Sequence, residues 1–498
     1  MTIDNVPDEV LLEIFDLYRH TFGDPLSSER VWNNKNGWFK LAHVCHNWRS
    51  VVLASPSRLR LRLYFAGHTP TRAVVLKPLS HLPIIVDYSN VVWSASVRKL
   101  LVSALRYPDR VCRVAITGPD KITKVLDSPF PALESLELDC KGLALPTPFM
   151  TSIRSLRHLR LVSSSLTPFF PLLSFTRALV DLTLSINTVF CLEEGASLLT
   201  HLQCIPHLRN LQVCTRPMYI FFPDTVVEMP PATSVLLAEL TYFRFFGECA
   251  EMEWFVAGLV TPSLQELHIS VFNTSNALYI PHLFKFIRVG GISFFAARLT
   301  FSEYCLTTSL FAHPHSDNGP PSKIVTITTQ FGAHLDSAVS ATLSAIEDLS
   351  LSLKYPMTAY ESFLGDLEPW RKVFEKFCNV KVLRLHPGLK TKIADMLRHP
   401  TVNPPTPQLE EIVPDATTPL DTPINGNSES TLDIFPSLEE IVLYTSTSIC
   451  GTEHRCGLES FGPFVTARRE VGRPVKVFWN TDGKVPRYFT TAVEVSGW

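Results

Sequence analysis

The 498 residues carry 45 Lys and Arg against 47 Asp and Glu, a net charge of −2, with 46% hydrophobic and 18% charged residues. That length exceeds one ordinary core and predicts several domains or one extended repeat array, while the apolar content excludes a largely disordered chain. No basic stripe marks a nucleic-acid binder. The longest charge-free stretches, such as 161–176, are interrupted by Pro168 and Pro171 and fall short of the about 20 apolar residues of a spanning helix, so neither nucleic acid nor membrane is an expected partner.

Asp4, Asp8, Glu9 and Glu13 stand among the first apolar residues and exclude a secretory signal. A cytoplasmic or nuclear location is therefore expected, with the eleven scattered cysteines as reduced thiols. Pro7 suits the first position of a helix, and Asp8 and Glu9 complement its positive end. Val10, Leu11, Ile14, Leu17 and Tyr18 follow at helical spacing. After a polar loop over 20–40, a second helix is predicted from about 39 to 53, with Leu41, Val44, Cys45, Trp48, Val51 and Val52 on one face. Two helices this short cannot bury both faces against each other, so they pack on the rest of the chain or on a partner.

The segments Val6-Pro7-Asp8-Glu9-Val10-Leu11-Leu12-Glu13-Ile14-Phe15 and Leu41-Ala42-His43-Val44-Cys45-His46-Asn47-Trp48-Arg49 resemble the F-box. Val6 replaces the usual Leu before the proline, and the loop between the helices is longer than the compact family pattern. The resemblance implies that Pro7, Val10, Leu11, Ile14, Leu17, Leu41, Val44, Cys45 and Trp48 dock on the Skp-type adaptor of a cullin-based ubiquitin ligase.

Residues 57–64 alternate with period two and predict a strand that places Arg58, Arg60 and Arg62 on one face. A strand over 83–88 and a helix over about 96–107 follow. From residue 111 an apolar-x-x-apolar-x-apolar pattern recurs at Val111, Leu133, Leu156 and Leu179, with starts 22, 23 and 23 residues apart, within the leucine-rich-repeat period. Further copies start at Leu208, Leu240, Leu264, Ile346, Val380 and Leu438, with a weak one at Leu409. Stretches 298–301 and 324–328 read as degenerate repeats. Prolines between the segments favour strands separated by turns over a helical array. In a strand solenoid the leucines point inward and the residues between them line the concave face. Those residues are Glu137, Asp139, Arg160, Thr183, Gln212, Arg244, His268, Ser350, Arg384 and Tyr444, a mixed surface suited to a protein partner. The segments 104–114, 129–138 and 463–475 are similar to F-box proteins of mushroom-forming (basidiomycete) fungi.

Residues 400–431 hold seven prolines and read as a mobile insertion, with Thr406, Thr418 and Thr422 each before a proline as candidate phosphorylation sites. Residues 313–323 read as a second loop. No phosphate loop, nucleophile elbow or metal helix occurs. His201, Cys204, His207 and Cys214 cluster in sequence, as do Cys450, His454 and Cys456, but neither has the paired Cys-x(2–4)-Cys knuckles of structural zinc.

The expected fold is α/β: a helical F-box over 1–58, opening strands and a helix over 59–110, an irregular leucine-rich-repeat horseshoe over 111–480, and a tail over 481–498. The expected function is that of a non-enzymatic substrate receptor of a Skp-cullin-F-box ligase, without metal or cofactor and with a protein target. A non-degradative scaffold on the same adaptor is the alternative, and an enzyme with an unrecognised site a lesser one.

Overall fold

Most repeats begin with one tight turn, in which the first apolar residue of the pattern donates its N–H to the carbonyl three residues upstream. Leu133 donates to Phe130, Leu156 to Ile153, Leu179 to Thr176, Leu208 to Ile205, Leu240 to Leu237, Ile346 to Leu343, Val380 to Phe377 and Leu438 to Phe435. The upstream residue is buried at each of these eight copies, so the repeat there reaches three residues further upstream than the leucine spacing alone indicates. The computed structural model describes residues 6–21, 38–59, 61–66, 82–88, 95–118, 126–139, 145–187, 192–215, 234–272, 277–278, 281–289, 294–301, 305–312, 324–330, 334–335, 343–353, 371, 373–385, 387–398, 434–444, 452–480 and 492–494. The loops over 313–323 and 400–431, and the weak copy at Leu409, lie outside the described residues. The chain forms two compact units: residues 1–223, 227–247 and 257–263, and residues 224–226, 248–256 and 264–498.

The first unit starts with α1 (Asp8–Thr21), α2 (Trp38–Ala42) and α3 (His46–Ala54). The single helix expected over 39–53 is thus two. Cys45 is extended (φ −154°) and its Sγ accepts the Trp48 N–H at 3.4 Å, so it caps a new helix instead of continuing the old one. The strand expected over 57–64 is also shorter. Leu59 and Leu61 donate back to the carbonyls of Ser55 and Pro56, forming a turn, and β1 covers only Leu63–Ala66.

Next come β2 (Ile84–Tyr88), α4 (Ala95–Leu105), β3 (Val111–Thr117), β4 (Ser135–Asp139), α5 (Thr147–Ser152), β5 (His158–Ser163), α6 (Phe170–Phe175), β6 (Asp181–Ile186), α7 (Leu192–Leu202), β7 (Asn210–Thr215) and β9 (Tyr242–Glu248). These eight strands form one parallel sheet in the order β1-β2-β3-β4-β5-β6-β7-β9. The short β8 (Val235–Leu236) and β10 (Leu259–Val260) pair separately. Leu136, Leu159, Leu182, Leu211 and Phe243 stand in register, as do Leu138, Leu161, Leu184, Val213 and Phe245, and all ten are buried.

The second unit contains α8 (Cys249–Ala257) and β11 (Glu266–Phe272). It continues with β12 (Ala277–Leu278), α9 (Pro281–Val289), β13 (Ala296–Phe301), β14 (Cys305–Phe311), β15 (Ile324–Gln330) and β16 (His334–Leu335). Then follow β17 (Asp348–Leu353), β18 (Val382–Leu385), α10 (Lys390–Arg398), β19 (Glu440–Tyr444), α11 (Thr452–Glu470), β20 (Lys476–Asn480) and β21 (Ala492–Glu494). Its main sheet runs β11-β15-β14-β13-β17-β18-β19-β20-β21. The stretches read as degenerate repeats at 298–301 and 324–328 are instead the outer strands of a meander, with β14 antiparallel between them. Three residues separate β13 from β14, too few for the crossover of a dozen or more that a parallel strand requires. β21 lies in the expected tail and closes the sheet antiparallel to β20. Gly472 (φ +75°) ends α11 with its N–H on the Arg469 carbonyl, a left-handed cap that favours glycine.

The register makes the two faces unequal. Leu184→Ala is expected to lower unfolding free energy by about 2–5 kcal/mol, and Thr183→Ala on the opposite face by no more than about 0.5 kcal/mol, in urea titrations. Gly247→Ala places a Cβ 2.4 Å from Thr215 Oγ1 and 2.7 Å from the Phe245 ring, and is expected to cost about 1–3 kcal/mol in the same measurement.

Candidate functional site

The N-terminal helices sort their apolar residues onto two faces. Leu11, Leu12 and Phe15 of α1, Leu41 of α2, and Val51 and Val52 of α3 are buried, and the Phe15 ring meets Trp48 edge-on at 4.9 Å. Val10 (47% exposed), Ile14 (44%) and Leu17 (71%) form a separate stripe along α1, and Val44 (54%) and Pro7 are also exposed. Of the nine residues that the F-box resemblance assigns to docking, Leu11 and Leu41 are therefore core residues. Cys45 and Trp48 are half-buried, and the Trp48 indole N–H has no hydrogen-bond partner among the described residues. Arg58 joins this module to the chain that follows through Glu13, at 2.5 Å, while Arg60 lies outside the described residues and Arg62 approaches Cys112 Sγ at 4.0 Å.

The face of the first sheet away from the leucines changes character along the array. Tyr64, Asp87 and Ala115 are buried there, with the Tyr64 hydroxyl donating to Asp87. Burial and that acceptor push the phenol far above its ordinary pKa. From β4 onward the face is open. Glu137, Arg160, Thr183, Gln212 and Arg244 occupy one register row across five strands, and Asp139 lies two residues from Glu137 on the same face. Arg160 Nε stands 3.5 Å from Glu137. In the adjacent row Asp181 binds His158 and Asn210. Burial raises the Asp181 pKa, but these two partners outweigh it and hold the carboxyl below its ordinary value. Arg244 is exposed and has no ion-pair partner among the described residues.

In the second unit His268, Thr326, Ser309, Arg298, Ser350 and Arg384 share one row across β11, β15, β14, β13, β17 and β18. Next to it run Ser270, Thr328, Thr307, Thr300 and Ser352, giving a hydroxyl-rich surface with Thr307–Thr328 at 3.1 Å and Thr300–Ser352 at 2.9 Å. Arg384 and Tyr444, expected to face a partner, are both buried. Arg384 grips Asp348 through Nε at 2.8 Å and Nη2 at 2.8 Å, and its Nη1 lies 3.5 Å from the Tyr444 hydroxyl. Burial disfavours the cation, but Asp348 overcomes this and holds the guanidinium charged. Asp348 lies between the first two apolar positions of its repeat, Ile346 and Leu349, so a search limited to positions between and after the last two apolar residues passes over it.

The Cys/His cluster of the first unit is dispersed. His201 Nδ1 bonds the Ser197 carbonyl and its ring stacks on Phe170 at 4.9 Å, whereas His207 pairs with Glu239 at 2.9 Å. Among the described residues no three His, Cys, Asp or Glu side chains converge as metal ligands. Cys450 and the side chains of His454 and Cys456 lie outside the described residues. No helix among the described residues is long and apolar enough to cross a membrane.

No family model and no curated protein matches the chain. Among solved structures it is similar to a leucine-rich repeat-containing protein of Legionella pneumophila, with 11% identity and a TM-score of 0.24, covering 80% of this chain and 97% of that one. A likeness that weak adds nothing to the repeat architecture already evident in the strand register.

A buried carboxyl links two helices of the second unit. Glu253 of α8 accepts the N–H groups of His282 (2.8 Å) and Leu283 (2.9 Å) at the start of α9. Burial pushes its pKa up to about 7, the two donors offsetting part of the shift. The folded state keeps this proton between pH 4.5 and about 7, where the unfolded chain has lost it. Its contribution therefore declines as pH rises through that window. Urea titrations at pH 5 and 8 are expected to show a loss on the order of 1–3 kcal/mol that Glu253→Gln removes. Asp348→Ala strands a buried cation and is expected to cost about 3–5 kcal/mol, with Asp348→Leu/Arg384→Met recovering most of it.

Proposed function

We propose that this chain is a non-catalytic substrate receptor of a Skp-cullin-F-box ubiquitin ligase, related to the F-box proteins of mushroom-forming fungi. The observation that carries this reading is the exposed stripe of Val10, Ile14, Leu17 and Val44, mounted on helices whose other face has its own core. An apolar surface of this kind gains free energy when a partner covers it, and the F-box resemblance implies a Skp-type adaptor as that partner. The repeat strands then present an open polar face to a protein target, and proximity to a ligase on the cullin supplies the effect of binding. No metal or cofactor enters this reading. A scaffold that uses the same adaptor without turnover of the target is the second reading, favoured equally by the exposed stripe.

The placement of the side chains selects the test. Leu11→Asp would unfold the module, whereas Val10→Asp and Leu17→Asp change only its surface. In coexpression with a Skp-type adaptor, the unmodified chain is expected to copurify with it. Each exposed substitution is expected to weaken the complex by about 2 kcal/mol, roughly thirtyfold, without changing thermal stability. Absence of a complex, or a complex indifferent to both substitutions, rejects the adaptor assignment. Cullin association together with target turnover separates the ligase from the scaffold.

A further inference from the structure

A small cavity of about 30 Å³ lies on the open face of the second unit where β13, β14, β17 and β18 meet. Ala296 stands in register with Phe311 and Asp348, and the methyl of that alanine leaves room that a longer side chain would fill. Arg298 and Ser350 are paired across β13 and β17, so a guanidinium and a hydroxyl sit one strand apart at the cavity wall. The Arg298 guanidinium lies 6.0 Å from the Phe311 ring centroid, over its face, and has no ion-pair partner among the described residues. The Ser350 hydroxyl likewise makes no hydrogen bond among the described residues, its backbone being engaged in the ladders with β13 and β18.

The charge balance of this wall follows from its pairings. Asp348 would repel an anion, but both its oxygens are taken by Arg384, at 2.8 and 3.1 Å from Nε and 2.8 Å from Nη2. The buried pair is internally neutral, so the charge left over is the single positive one on Arg298. Guanidinium forks bind planar carboxylates through two parallel hydrogen bonds, and a neighbouring hydroxyl can supply another donor. A water needs about 10–15 Å³ of such space, so the cavity holds roughly two oxygen-sized atoms, the number a carboxylate carries.

We propose that this cavity binds a carboxylate from an acidic segment of the protein partner, with Arg298 as the ionic contact and Ser350 as the hydroxyl donor. The inference rests on the array being a protein-binding surface and is independent of the adaptor. Fluorescence anisotropy of a dye-labelled decapeptide of alternating Glu and Ser, against its Gln counterpart, tests it on the full chain at low salt. The Glu peptide is expected to bind at least tenfold more tightly. Arg298→Gln should abolish that preference, Arg298→Lys should retain part of it, and Ser350→Ala should weaken binding about threefold. Equal binding of the two peptides, or an Arg298→Gln protein that still prefers Glu, overturns the proposal. Stronger competition by inorganic phosphate than by acetate at equal ionic strength overturns the carboxylate assignment in favour of a phosphate group. Adaptor copurification measured on the same variants should not change, which keeps a failure here distinct from a failure of the adaptor reading.

Discussion

Burial of two apolar side chains per strand is the constraint on which the rest of the molecule depends. A single repeat such as 133–139 has no interior of its own, and only stacking Leu136 on Leu159 and Leu138 on Leu161 removes those side chains from water. The backbone enforces the alignment. The carbonyl just before each strand accepts two N–H groups from the next repeat: Glu134 from Arg157 and His158, Arg157 from Val180 and Asp181, Val180 from Arg209 and Asn210. The second unit repeats the arrangement at Phe295, Glu347 and Lys381. A slip of one residue would break these bonds and expose every leucine, so register is fixed on both counts.

Once register is fixed, the polar residues between the leucines become neighbours, and most of their charge is spent on one another. Glu137 meets Arg160, Asp181 meets His158 and Asn210, and Asp348 meets Arg384. What distinguishes Arg298 is that its cross-strand neighbours are the neutral Ser309 and Ser350, and the residue opposite Arg244 on β7 is the neutral Gln212. Recognition by such a face depends on the charges that pairing leaves over, a smaller set than the charges that point outward.

The N-terminal helices obey a different constraint. Their few residues support one small core around Phe15, Trp48 and Val52, and α1 has more apolar residues than that core can cover. The surplus stripe stays in solvent. The cap at Cys45 contributes to this outcome, because breaking the second helix leaves Val44 outside while Leu41 and Val51 go in.

The leucine spacing by itself determined the strands β3 to β7 and β9, the later strands β11, β17, β18 and β19, and which side of each is apolar, because period-two alternation and a near-constant repeat are local properties of the chain. It also marked out the row from Glu137 to Arg244. Only the tertiary structure decided that 296–330 forms a meander, since a pattern of alternating residues is the same for a parallel and an antiparallel strand. Likewise, helical spacing groups Leu11 with Val10 and Ile14 on one broad arc, and only packing against Phe15 and Trp48 separates the core residue from the two exposed ones. Arg384 shows the same limit most plainly: its position between leucines predicts the correct face, but whether a side chain on that face meets solvent or a buried Asp348 depends on a residue 36 positions away in the chain.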